Sequence, residues 1–176
     1  MVEHYTKAVV LAREPRGDLD AALTLYTKDF GKVIAKAKSI RRITSKLSGH
    51  LTPGSFASIR VVERNGSGHQ LVDALSSRVE VTADLLRFMS FVNQIAPFHM
   101  PDLHLWHELE SITKTSLINK AIYRRVIAIM GYDASGASCE VCGSRKIAYF
   151  APRDVIFSCE SCFKNLGLRG NEIFAI

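Results

Sequence analysis

Four cysteines carry the most specific chemistry in this chain of 176 residues, arranged as Cys139-Glu-Val-Cys142 and Cys159-Glu-Ser-Cys162 with 16 residues between the pairs. Thiolates are preferred zinc ligands, and two CxxC pairs separated by roughly 15–20 residues form the pattern of four-thiolate sites. Each two-residue gap lets a tight turn aim two sulfurs at one ion about 2.3 Å away. The longer gap holds a hairpin, for which the sequence predicts strands over 146–150 and 154–157 with Pro152 between them. The alternatives are two redox CxxC motifs or free buried thiols, although a lone redox motif needs no matched partner. Four thiolates leave no open position for a water nucleophile, so the expected ion is a structural Zn2+, held by Cys139, Cys142, Cys159 and Cys162 in a module over 138–165.

The second feature is electrostatic. Residues 30–62 hold seven basic side chains, Lys32, Lys36, Lys38, Arg41, Arg42, Lys46 and Arg60, and no carboxylate. The remainder carries 16 basic against 17 acidic residues, so the net charge of +6 resides in this tract. An unbroken basic run interleaved with Val, Ile and Ala suits a polyanion, and nucleic acid is the polyanion expected. A solvated face or a linker is the plain alternative. Arg41 and Arg42 are favoured contacts because a guanidinium grips phosphate at two points. Tyr26, Phe30 and Phe56 are candidate stacking rings, each more commonly a core residue.

Other chemistry is sparse. His99, His104 and His107 with Glu108 and Glu110 invite a metal reading, but HLWHELES lacks the second histidine of HExxH, since Ser111 stands there. No nucleophile elbow, phosphate loop or paired-carboxylate pattern stands out, so the chain is expected not to be an enzyme.

The elements that must position these groups fall into two kinds. Residues 4–12 and 19–27 read as strands, with a loop over 13–18. A third strand over 32–40 alternates Lys32, Ile34, Lys36 and Lys38 on one face with Val33, Ala35, Ala37 and Ser39 on the other. Residues 40–54 form a polar, basic connection; strands over 55–64 and 69–79 follow, joined by the turn signal Asn65-Gly66-Ser67-Gly68. Five short strands with a basic face fit a small antiparallel barrel of the oligonucleotide-binding (OB) type. From Thr82, a plausible N-cap, the period becomes helical, with Leu85, Phe88, Met89, Val92 and Ile95 in one stripe and Pro97 as the stop. A second helix is expected from Pro101, with Asp102 in its first turn and Trp106 as an anchor. A third is expected over 116–130 with Gly131 at its end. The predicted class is therefore α+β: an OB-fold nucleic-acid-binding domain over 1–80 and a small helical domain over 81–176 that includes the zinc module. With 47% hydrophobic residues and no long apolar run, the chain is expected to be globular and cytoplasmic.

With these residues in view, the chain resembles the bacterial recombination mediator RecO family. The matching stretches are Tyr5-Thr-Lys-Ala-Val-Val-Leu11, Leu23-Thr-Leu-Tyr-Thr27 before Gly31-Lys32, and Ala37-Lys38 followed by Ser45-Lys-Leu-Ser-Gly-His-Leu-Thr-Pro53. The match resumes at Arg125-Val-Ile-Ala-Ile-Met-Gly131 and at both cysteine pairs. The resemblance implies an OB barrel, a helical domain and a zinc module, in a nucleoid-associated protein without catalysis. Proteins similar to this bind single- and double-stranded DNA, anneal complementary strands, contact the acidic tail of the single-stranded DNA-binding protein, and with RecR help load RecA. Ser39 stands where the family often has glycine, Pro53 is followed by Gly54-Ser55 in place of an aromatic, and Val155-Ile156-Phe157 replaces a usual glycine pair. The chain ends 14 residues after Cys162 where the family usually continues, as in a shortened member. A zinc-ribbon and OB protein acting on ribosomal or messenger RNA would present much the same residues.

Overall fold

The computed structural model describes residues 2–64, 68–77, 80–115, 117–167 and 170–176. Five strands, β1 (Val2–Arg16), β2 (Asp20–Thr27), β3 (Gly31–Ala37), β4 (Phe56–Arg64) and β5 (Gly68–Ser76), close into a barrel of order β1-β2-β3-β5-β4. That order is the OB arrangement. All pairings are antiparallel except β3 with β5, which run parallel over Ala35–Ala37 and His69–Leu71 and close the barrel. The expected all-antiparallel sheet is corrected at that seam.

β1 is longer than the sequence suggests, because Glu14, Pro15 and Arg16, expected in a loop, pair with Ala22, Ala21 and Asp20. One strand must serve two neighbours here, β4 through Val2–Val9 and β2 through Ala8–Arg16. A bulge between Val10 and Ala12 supplies the bend. Small inward residues make the tight interior possible: Ala8, Ala21, Ala35 and Ala37 are fully buried with Val10, Leu23 and Leu25. The connection between β3 and β4 is less polar in effect than in composition, since its Ile40 and Leu51 are fully buried against this interior. Residues 65–67 of the predicted turn, residues 78 and 79 of the fifth strand and residue 116 of the third helix lie outside the described residues.

Three helices follow: α1 (Ala83–Ile95), α2 (Leu103–Thr115) and α3 (Lys120–Ile129). Thr82 caps α1, its hydroxyl accepting from the Leu85 amide. Asp102 lies before α2 and caps it through the Leu105 amide at 2.8 Å. Asn119 caps α3, which therefore starts later than expected and leaves Leu117 71% exposed. At its far end the amides of Gly131 and Tyr132 bond Ala128 O and Ile127 O, each at 3.0 Å, with Gly131 at φ +87. This is the paired closure that left-handed glycine allows.

A three-stranded sheet of order β7-β6-β8 ends the chain, from β6 (Ile147–Ala151), β7 (Ile156–Cys159) and β8 (Phe174–Ala175). Its Phe150, Phe157 and Phe174 join Leu85, Phe88, Phe91, Val92 and Tyr123 of the helices in one apolar cluster. That cluster reaches the outer barrel wall through Val9, Leu11 and Tyr26. Two close approaches lock the layers together. A Cβ at Gly31 would stand 2.4 Å from the Met100 carbonyl, and one at Gly54 2.8 Å from the Leu85 side chain. Glycine at position 54 thus lets α1 sit against the barrel.

Candidate metal centre and nucleic-acid interface

The cysteine pairs lie on two backbone knuckles. In the first, the Cys139 amide bonds Ser144 O at 2.8 Å and the Gly143 amide bonds Cys139 O at 2.8 Å, with Gly143 at φ +71. In the second, Cys159 ends β7 and the Cys162 amide bonds Cys159 O at 3.2 Å. The hairpin of β6 and β7 and the Glu140 amide on Phe157 O, at 3.0 Å, bring the knuckles together. All four Sγ atoms fall within 4.8 Å of one another, and those of Cys142 and Cys159 are 3.7 Å apart. A regular tetrahedron with metal–sulfur bonds of about 2.3 Å has sulfur edges of about 3.8 Å, so the four thiols form a cage that could hold a metal ion. Among the described residues this is the only such grouping of His, Cys, Asp and Glu, and the histidines at 99, 104 and 107 form none.

Electrostatics within the cage are divided. Backbone amides, first that of Cys159 and then those of Cys142 and Val141, hold the Cys139 thiol down to about 6. Hydrogen bonds with Cys142 and Cys159 push the Cys162 thiol up to about 12. Sulfurs this close cannot all ionise unless a cation lies among them.

The seven basic residues of the tract are not equivalent. Lys36, Lys38, Arg41, Arg42 and Lys46 are exposed. Lys36, Lys38 and Arg41 gather about the turn between β1 and β2: Arg41 Nη1 donates to Gly17 O at 3.0 Å, and Lys36 Nζ lies 3.1 Å from Asp20. Arg13, assigned to a loop by its neighbours' composition, lies on β1 and donates to Ser48 O of the β3–β4 connection at 3.4 Å. The absence of acid within residues 30–62 does not survive folding intact. Asp20 accepts from the Ser39 amide at 2.9 Å and pairs with Lys36, and these contacts hold its carboxyl below the usual range.

Lys32 departs from the predicted basic face. It is 5% exposed, its ammonium donating to Asn93 O at 2.8 Å and lying 4.1 Å from the Phe98 ring centre. The cause is the segment after α1, which meets β3 at a Lys32–Phe98 bridge and covers Lys32, while Ile34 and Lys36 farther along that face stay exposed. Burial pushes the Lys32 pKa down. Arg60 also stands apart, on β4, paired with Glu3 of β1 at 3.5 Å.

Of the candidate stacking rings, Tyr26 is 1% exposed with its hydroxyl accepting from the Asp102 amide at 3.0 Å. Phe56 packs on the buried Trp106 at 5.4 Å. Phe30 remains partly exposed beside His4, with ring centres 5.0 Å apart.

Comparison with known proteins agrees with this architecture. The family model described as recombination protein O N terminal matches residues 1–77, which are the barrel. Over 176 aligned positions the chain is 25% identical to a DNA repair protein RecO of Dehalococcoides mccartyi, covering 89% of this chain and 69% of that one. It is 27% identical to a RecO of Bifidobacterium animalis subsp. lactis, covering 86% of this chain and 70% of the other. With a RecO of a Thermoanaerobacter species the figures are 27%, 83% and 65%. An OB-ordered barrel matching the recombination protein O amino-terminal model, continuing into a helical layer and a four-cysteine sheet along the length shared with these relatives, is what makes this chain similar to DNA repair proteins named RecO.

Proposed function

We propose that this chain is a non-catalytic DNA-binding protein of recombinational repair. On this reading it binds single- and double-stranded DNA, promotes annealing of complementary strands and, with RecR, helps load RecA onto DNA coated by the single-stranded DNA-binding protein. The observation that carries the reading is the exposed group Lys36, Lys38, Arg41, Arg42 and Lys46 on a closed OB-ordered barrel. Side chains of this kind neutralise phosphates and release counterions, which supplies affinity without sequence preference. Lys32 has no part in that contact.

In this proposal residues 1–80 form the nucleic-acid-binding domain and residues 81–176 a helical domain stiffened by Zn2+ in the four-thiolate cage. When bound, the ion supplies cross-linking and charge neutralisation. Contacts with RecR and with the acidic tail of the single-stranded DNA-binding protein follow from the family resemblance, as does a place in the cytoplasm with the nucleoid. Among the described residues no helix is long and apolar enough to cross a membrane.

The test is annealing of complementary oligonucleotides, bare or coated with the single-stranded DNA-binding protein. Acceleration by the purified chain on coated strands is expected. No acceleration, with tight selective binding of structured RNA instead, would replace this reading with an RNA-binding one.

A further inference from the structure

A carboxylate stands among the exposed cations of the basic tract. Asp20 opens β2, and the tip of its hairpin meets the corner where the chain leaves β3 for the connection that carries Arg41 and Arg42. At that corner the hairpin supplies acceptors. Asp20 Oδ1 accepts the Ser39 amide at 2.9 Å, Leu19 O the Arg41 amide at 2.9 Å, and Gly17 O the Arg41 guanidinium at 3.0 Å. The second oxygen of Asp20 faces Lys36 Nζ at 3.1 Å. Of these acceptors only Asp20 is a side chain, so it is the one a substitution can remove.

Two effects of this carboxylate on a bound phosphate oppose each other. Its charge repels the phosphate and offsets that of Lys36, an interaction that physiological salt screens over roughly 8 Å. Its hydrogen bond, by contrast, holds Ser39 at φ +52, in the left-handed region that a residue with a side chain seldom adopts. The Arg42 amide then bonds Ser39 O at 3.1 Å, and the fully buried Ile40 pins the corner to the barrel interior. Ser39 lies between Lys38 and the two arginines, so its conformation sets where Lys38 stands relative to them. Exposed charges interact weakly in salt, whereas a loosened corner frees several long cationic side chains together. Cations held in place before the ligand arrives spare the ordering cost of binding, so the holding effect is the larger.

We propose that Asp20 is a positioning residue of the DNA contact: by fixing the Ser39 corner it sets Lys38, Arg41 and Arg42 in the arrangement that meets a phosphate backbone, and it raises affinity although it bears the phosphate's own sign. This role rests on the DNA-binding reading above.

The test measures the affinity of the full chain and its Asp20 variants for oligothymidine and for a duplex, beside their melting temperatures. Asp20→Asn keeps an oxygen for the Ser39 amide and drops the charge, Asp20→Ala removes both, and Asp20→Glu keeps the charge but carries it one methylene farther out. Asp20→Asn should bind as tightly as the unmodified chain, or up to about two-fold more tightly. Asp20→Ala should bind roughly five-fold more weakly, the factor that corresponds to ~1 kcal/mol for one hydrogen bond, and Asp20→Glu should be weakened with it. In a chain already carrying Lys38→Ala and Arg42→Ala, the loss from Asp20→Ala should shrink below about two-fold, because the cations it positions are gone. If Asp20→Ala does not fold, the contrast between Asp20→Asn and Asp20→Glu decides. Tighter binding by both Asp20→Asn and Asp20→Ala, with Asp20→Glu unchanged, would make Asp20 a bystander charge and overturn the role while DNA binding stands. Lower melting temperatures at unchanged affinity would overturn it equally. If the unmodified chain binds neither DNA, the DNA-binding reading and the role of Asp20 fall together.

Discussion

Lys32 and Lys38 carry the same charge into opposite surroundings. Lys32 is held between a backbone carbonyl and an aromatic face, so Lys32→Ala should cost about 2 kcal/mol, seen as a lower melting temperature, with no change in the salt dependence of DNA binding. Lys38→Ala combined with Arg42→Ala should do the reverse, flattening the slope on duplex DNA by about two units at constant melting temperature. A slope that moves with Lys32 would contradict the burial described above. Conformation adds a second case. Ser39 and Val155 are non-glycine residues with φ of +52 and +55. Left-handed backbone costs an L-residue roughly 1–2 kcal/mol and glycine little. Ser39→Gly should therefore stabilise by about 0.5–1 kcal/mol in chemical denaturation, after the entropy that glycine adds to the unfolded chain. Val155 also packs on the apolar cluster, so its replacement would trade strain for lost burial.

Elements differed in how plainly the sequence announced them. The barrel strands were legible because Val33, Ala35 and Ala37 alternate with outward side chains, and the cap of α1 because Thr82 precedes a helical period. The far half of β1 was hidden, since Arg-Glu-Pro-Arg-Gly-Asp has the composition of a loop and is held in strand form by pairing with β2. β8 was hidden too, because two residues carry no period and gain their conformation from β6. Phe91 lies off the predicted stripe of α1 yet is fully buried, since the cysteine sheet covers a second side of that helix through Phe150 and Phe174. Of the candidate sites, the cysteine cage was legible from spacing alone. The partners Asp20 and Glu3 were not, because pairing across strands leaves no trace in a local count of charge. The cage leads to a prediction at this scale. Cys139→Ser should abolish bound metal and lower stability by more than about 4 kcal/mol, the range reached when a structural metal site is lost. It should also expose tyrosines packed against this sheet, observable in near-ultraviolet circular dichroism. Unchanged metal content and melting temperature would refute it.

Taken as one molecule, the chain has a barrel interior of its own and a second apolar cluster that belongs to no single element. Val9, Leu11 and Tyr26 of the barrel wall, the buried faces of three helices and the phenylalanines of the cysteine sheet are its members. The Gly31 and Gly54 approaches leave no room for a cushion between these layers. A ligand that binds only the folded cage adds stability in proportion to the logarithm of its free concentration, about 1.4 kcal/mol for each tenfold rise above its dissociation constant. Because the cluster is shared, that increment extends beyond the sulfurs to the outer wall of the barrel. The cage would then work as a gauge, translating the supply of free metal around the protein into the lifetime of the closed barrel wall.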